Sequence, residues 1–215
     1  MDRDTWSMKA DQKLLVANAY DRIADAYLSV YGVSSVRQRW LERLIDRLPS
    51  KTGNILDLGC GAGVPVARTL ANLGCSVTGV DGSVEQIARA RAFVPEAEFI
   101  HADMTLVELD ACQFDAVGAF YSITHVPAGE HGDLFRRIAR WLKPGGIFLA
   151  SLGTGDGGDW KGEWLRQPMF FSHNSEQASM ALLREADLLV VHSEFERQDN
   201  EDASFLWIVA VRPVQ

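Results

Sequence analysis

The chain has 215 residues, 47% of them hydrophobic, and a formal net charge of −8. That length can bury one adequate core, so a single domain is expected. The acidic balance disfavours nucleic acid, whose binders carry basic faces, and no run approaches the roughly 18 apolar residues that a membrane span requires.

Along the chain, residues 11–28 read as one or two helical segments. Val36, Trp40, Leu44 and Leu48 then recur every four residues, with Leu41 and Ile45 alongside, as in an amphipathic helix that Pro49 stops. Strands are expected over 54–58, 76–80, 98–102, 114–120 and 147–151. Between them lie helices over 66–73, 84–93 and 129–142. Pro65 suits the first turn of one, Ser83 is the N-cap of the next, and Lys143-Pro144-Gly145-Gly146 ends the third. Such alternation marks a mostly parallel sheet. Residues 153–159 are glycine-rich and expected to be flexible, and 160–173 are rich in aromatic residues. A helix over 175–186 follows, then strands over 188–195 and 205–212. Their short polar connection predicts a hairpin and therefore an antiparallel last strand.

The opening Met1-Asp2-Arg3-Asp4 leads into no apolar core, so no secretory signal is expected. Cys60, Cys75 and Cys112 are an odd number without metal-ligand spacing. They point to a reducing cytoplasm and to no metal dependence.

The most informative stretch is Ile55-Leu56-Asp57-Leu58-Gly59-Cys60-Gly61-Ala62-Gly63. A strand that ends in spaced glycines lets a ligand lie against bare backbone. Asp81 closes the next strand, where a carboxylate can grip ribose hydroxyls, and Asp103 closes the third. Three acids at three consecutive strand ends describe a nucleoside pocket. The spacing is G-x-G-x-G rather than the G-x-G-x-x-G of dinucleotide folds, and Asp57 would repel a diphosphate. A ligand carrying positive charge suits it better.

These residues resemble the class I S-adenosylmethionine-dependent methyltransferases, small-molecule type, from about Tyr20 to the C-terminus. The resemblance implies one Rossmann-like, doubly wound α/β domain with a seven-stranded sheet, mostly parallel with an antiparallel last strand. Residues 1–50 would be a helical lid and a first sheet-packing helix. Residues 51–215 would form the cofactor-binding core, with an acceptor-binding insertion at about 153–174. It implies S-adenosyl-L-methionine as cofactor, S-adenosyl-L-homocysteine as product and an O or N atom of a small molecule as acceptor. Nucleic acid and membrane would not be partners, and the protein would be a monomer or homodimer.

Carried over to this sequence, Gly59, Cys60 and Gly61 would let the methionine and ribose portions cross the strand end, with Asp57 near the ligand's amino group. Asp81, beside Gly82, would accept from the ribose hydroxyls. Asp103 would accept from the adenine amino group, and the Met104 N–H would bond a ring nitrogen. Phe120 and Tyr121 would border the sulfur. Tyr20 lies in a Y-D-x-x-A-x-x-Y segment resembling the family's lid, with a role in enclosing or positioning. His125 is the candidate general base. Where relatives carry a His-His pair this chain has Thr124-His125, and a capping or loop-orienting histidine is the other reading. Trp160, Trp164, Met169 and Phe170 could wall an apolar acceptor pocket, with Arg166 and His173 supplying polar contacts. The alternative is that these aromatics pack the insertion onto the sheet, with Arg166 paired to Glu163. Two rival functions are methylation of tRNA or protein and a non-catalytic cofactor-binding module.

Overall fold

The computed structural model describes residues 3–49, 52–155 and 158–214, and the side chains from residue 11 onward. The opening Met1-Asp2, the junction between the two expected portions at 50/51, and residues 156–157 of the glycine-rich stretch lie outside the described residues.

Two helices lead in. α1 (Arg3–Tyr31) is one continuous helix, longer than the segments expected, and α2 (Ser35–Ile45) starts where the Ser34 side chain accepts from the Arg37 N–H. Then come β1 (Asn54–Leu58), α3 (Val66–Asn72), β2 (Ser76–Asp81), α4 (Val84–Phe93), β3 (Glu98–His101) and β4 (Phe114–Ala119). Two short 3₁₀ turns precede α5 (His131–Trp141) and β5 (Leu142–Leu152). Ser83 caps α4 as expected, accepting from the Gln86 N–H. The chain ends with β6 (Gly158–Trp164), β7 (Gln167–His173), α6 (Glu176–Glu185), β8 (Leu189–Arg197) and β9 (Ser204–Val211).

Seven strands form one sheet in the order β3-β2-β1-β4-β5-β9-β8. Pairings among β3, β2, β1, β4 and β5 are parallel, and β9 runs antiparallel to both neighbours. The expected topology is therefore the observed one. Successive strand residues alternate between two cores. Leu56, Leu58, Val117, Phe148 and Ile208 pack under α5 and α6 with Leu134, Phe135 and Leu183. Ile55, Val77, Ala116, Leu149 and Trp207 face the other side with Trp40, Leu44, Leu70 and Ile87.

Three departures have physical causes. Lys143-Pro144-Gly145-Gly146 ends no helix: α5 stops at Trp141, and these residues open β5, whose register against β4 shifts between Phe114 and Ala116. The aromatic stretch 160–173 is not a loop but a second, two-stranded sheet of β6 and β7. Met169 and Phe170 of β7 are fully buried against Val16, Ala19 and Ile23 of α1. That packing is what extends α1 into one long helix laid along the hairpin.

Candidate active site

The reversal of strand order between β1 and β4 opens a crevice at the carboxyl ends of the strands, the place where open α/β sheets bind ligands. A cavity of about 540 Å³ lies there, roofed by Lys13, Leu14, Ala17 and Tyr20 of α1. Its floor comes from the strand ends: Gly59, Gly61, Asp81, Gly82, Asp103, Met104, Phe120, Tyr121 and His125 all line it. Ten of the residues expected at the site thus share one cavity wall with Tyr20. Asp57 and Cys60 line a smaller adjoining recess of about 40 Å³, together with Arg37 and Gln86.

The spaced glycines answer different constraints. Gly59 has φ +74°, and a Cβ there would meet the Ser122 Cβ at 2.2 Å, so close packing of the β4 loop excludes any side chain. Gly63 (φ +73°) is hemmed by Phe99 and Val94 at 3.2 Å. Only Gly61 (φ +52°) faces space: a Cβ would find nothing nearer than the Gln86 side chain at 3.9 Å. Bare backbone at Gly61 is the part of the turn that leaves room for a ligand.

Asp81 accepts from the N–H groups of Gly61 and Ser83, each at 2.9 Å, which fixes its carboxylate at the cavity wall. Burial raises its pKa, against those two donors. Asp57 is fully buried, and burial, with the Asp81 charge second, pushes its carboxyl up to about 7 although Arg37 opposes. Asp57 Oδ2, Gln86 Nε2 and Arg37 Nε are buried without a protein partner. An acceptor and two donors orphaned around one recess match the two charged ends of an amino acid.

Asp103 is held twice. Its Oδ1 accepts from the Thr105 N–H and hydroxyl at 2.8 Å, and its Oδ2 meets the Lys13 ammonium at 2.7 Å. Lys13 also reaches Glu130 at 2.8 Å, so α1 is pinned across the crevice by one lysine. Burial pulls the Lys13 pKa down, but Asp103 and Glu130 together carry it above its ordinary value.

On the opposite wall, His125 Nδ1 lies 2.9 Å from the Phe170 carbonyl. A carbonyl only accepts, so Nδ1 carries the proton and Nε2 the lone pair. The Tyr20 hydroxyl, 2.9 Å away, donates to that lone pair. Burial lowers the His125 pKa to about 4, which keeps the ring neutral. Tyr121 has φ +59°, a left-handed conformation costly for an aromatic residue. The Ser151 hydroxyl accepts its N–H at 2.6 Å, and Ser122 donates to the Leu58 carbonyl at 2.6 Å, tying the β4 loop to both neighbouring strands.

The six residues expected at the acceptor do not line the cavity. Met169 and Phe170 are buried under α1, where the Phe170 carbonyl orients His125. Trp164 stacks on Tyr31 at 5.5 Å and donates to Glu201. Trp160 is 44% exposed and packs on Phe171. Arg166 sits in the hairpin turn at φ +62°, and His173 lies against Gly155. The sequence reading overlooked Lys13, Gln86, Glu130 and Arg37. Each is a single polar residue on a helix or turn, and no local pattern separates it from solvated surface. Among the described residues no cluster of His, Cys, Asp or Glu could hold a metal, and no helix is long and apolar enough to cross a membrane.

Residues 55–146 match the protein family described as "Methyltransferase domain". The chain is 39% identical over 127 residues to a ubiquinone biosynthesis O-methyltransferase of Alkalilimnicola ehrlichii, covering 57% of this chain and 49% of the relative. It is 30% identical over 136 residues to a malonyl-acyl-carrier-protein O-methyltransferase of Enterobacter lignolyticus, covering 63% and 52%. The chain therefore spans about half the length of these curated relatives. Its fold matches the crystal structure of Burkholderia thailandensis 1,6-didemethyltoxoflavin-N1-methyltransferase, which holds 1,6-didemethyltoxoflavin and S-adenosylhomocysteine. The TM-score there is 0.74 at 20% identity, covering 95% of this chain and 90% of that one. Fold, strand-end site and sequence agree: this chain belongs to the class I S-adenosylmethionine-dependent methyltransferases.

Proposed function

We propose that the protein binds S-adenosyl-L-methionine in the crevice and transfers its methyl group to an O or N atom of a small-molecule acceptor. The observation that carries this reading is the set of buried, partnerless polar atoms beside a ligand-sized cavity. Asp57 Oδ2 would face the cofactor's ammonium, and Arg37 Nε and Gln86 Nε2 its carboxylate. Asp81 would take the ribose hydroxyls, and Asp103 with the Met104 N–H the adenine edge, both at the cavity wall. A neutral Asp57 would ionise on meeting an ammonium, since an opposite charge offsets what burial costs it.

When bound, the cofactor supplies an electrophilic methyl group on a sulfonium. The chain's own residues position and exclude water, which contributes several kcal/mol when reacting atoms are held about 3 Å apart. The Tyr20–His125 pair adds a route for a proton. The Tyr20 oxygen has lone pairs free to accept from an acceptor hydroxyl or amine while its own hydrogen lies on His125 Nε2. A methylated oxygen that still carries its proton is strongly acidic, so even an imidazole whose pKa burial has lowered can receive it. Proton removal then follows methyl transfer downhill rather than preceding it.

The test is a turnover assay. The purified protein is incubated with S-adenosylmethionine and a panel of small hydroxyl and amine acceptors, and S-adenosylhomocysteine release is measured. Release above the acceptor-free rate supports the reading. Tight binding of the cofactor with no release across the panel favours the non-catalytic module, and release that depends on added tRNA or protein favours the macromolecular alternative.

A further inference from the structure

The charges around the cavity bear on the acceptor's chemistry, and this step rests on the methyl-transfer reading above. Four carboxylates line the cavity: Asp81, Asp103, Glu130 and Asp133. Lys13 is the sole lysine or arginine among the described residues that line it. That ammonium is already shared at 2.7 Å with Asp103 and 2.8 Å with Glu130. His101 adds no free donor at Nε2, which points to the Gly82 carbonyl at 2.9 Å. His125 is fully committed between Tyr20 and the Phe170 carbonyl. The mouth is apolar on both sides, with Leu14 60% and Leu106 63% exposed.

We infer that the acceptor is an apolar molecule that enters uncharged or as a cation and presents a hydroxyl or amine, and that carboxylate and phosphate acceptors are rejected. An anion could be accommodated only by displacing a carboxylate from Lys13 or by lying unpaired beside four acids. Both arrangements are unfavourable inside a partly desolvated cavity, where like charges are poorly screened. Specificity here comes from repulsion as much as from fit. The step balances: an acceptor O–C or N–C bond forms, the C–S bond breaks with its electron pair left on sulfur, and the acceptor's proton leaves through Tyr20 and His125. Leu14 and Leu106 supply apolar surface for the acceptor's body as it enters.

The experiment uses matched naphthalene probes on protein first saturated with S-adenosylhomocysteine: 2-naphthol, (2-naphthyl)methylammonium and 2-naphthoate. Calorimetric titration should show the neutral and cationic probes binding at least about tenfold more tightly than naphthoate. In an E130Q/D133N double variant naphthoate affinity should rise by about tenfold, while 2-naphthol affinity stays within about twofold. Naphthoate binding the natural protein as tightly as naphthol overturns the inference. So does a naphthoate affinity that the double variant leaves unchanged, or failure of all three probes to bind the saturated protein. Failure of S-adenosylhomocysteine to bind in the first titration overturns the methyl-transfer reading instead, so the two results are separable.

Discussion

The floor and the roof of the crevice are built on different principles. The floor is strand ends and backbone: Gly61 leaves open space, and Asp81 is oriented by two main-chain N–H groups. The roof is α1, held by side chains alone. Lys13 reaches Asp103 and Glu130, Tyr20 reaches His125, Asp21 accepts from the Ser83 hydroxyl at 2.6 Å, and Arg89 meets Asp25 at 3.1 Å. The α1–α2 junction is clasped in turn by the β8–β9 connection. Asn200 donates to the Val30 carbonyl at 2.8 Å, and Asp199 accepts from the Ser35 hydroxyl at 3.0 Å and the Val36 N–H at 3.2 Å. A floor made of backbone cannot rearrange without unfolding the sheet. A roof made of ion pairs and hydroxyls can open by exchanging a few contacts for water, each worth about 1 kcal/mol net.

The sharpest way to break this contrast is chemical. Tyr20→Phe and His125→Ala should each lower turnover about 10²- to 10⁴-fold on an acceptor that must lose a proton. S-adenosylhomocysteine affinity, which depends on the floor, should change far less. Calorimetry beside a turnover assay separates the two, and equal losses in both would erase the distinction between roof and floor.

Asp81→Ala attacks the floor. Losing a carboxylate that receives charge-assisted hydrogen bonds should weaken S-adenosylhomocysteine binding by about a hundredfold. The variant should still fold, because Asp81 is at the end of β2 rather than inside its pairing. Titration of the variant measures this directly.

A third prediction concerns pH. Asp57 is pushed from 3.8 up to about 7, so its carboxyl keeps a proton in the folded chain that the unfolded chain has released. Its contribution to stability is full below 3.8 and is lost as pH rises through 7. His125 is lowered from 6.5 to about 4, so it costs nothing above 6.5 and destabilises progressively as pH falls towards 4. Between pH 4 and 6.5 the two oppose each other. Asp57→Asn removes one side: relative to the natural protein it should lose about 3 kcal/mol on acidification from pH 6.5 to 4. Urea unfolding of both proteins at the two pH values checks the sign and the size.

The smallest expected effect lies at the clasp. Asn200→Ala should cost about 1 kcal/mol through its lost bonds to α1 and the α1–α2 junction, with proteolysis increasing there. Limited digestion timed against thermal unfolding would detect it. An unchanged digestion rate would mean that Asp199 alone holds the junction.

The same division governs what could be read from the chain. The floor was legible because its signals are local: glycines at fixed spacing, and acids closing apolar runs at Asp57, Asp81 and Asp103. The alternation of elements carried the topology, down to the antiparallel β9. The hairpin of β6 and β7 was not legible, for a reason visible at its turn. A two-residue hairpin turn with both φ angles positive normally signals itself through Asn or Gly, yet here Leu165 and Arg166 occupy it at +47° and +62°. The aromatic run therefore read as a pocket wall. Its burial was decided by α1, some 140 residues earlier in the chain, which buries Met169 and Phe170 and leaves Trp164 stacked on Tyr31. Lys13 was invisible for a similar reason: nothing in its neighbours announces the two carboxylates it would find on distant elements.

The central claim is that the crevice between α1 and the strand ends is an S-adenosyl site. Thermal unfolding with and without S-adenosylhomocysteine, for the natural protein and for Asp81→Ala with NADH as control, tests it most directly. At a hundred times its dissociation constant the ligand should stabilise the natural protein by about 2.7 kcal/mol, raising Tm by roughly 2–4 °C at this size. That shift should vanish in the variant at the same ligand concentration. No shift for the natural protein, or a larger one with NADH, would contradict the account.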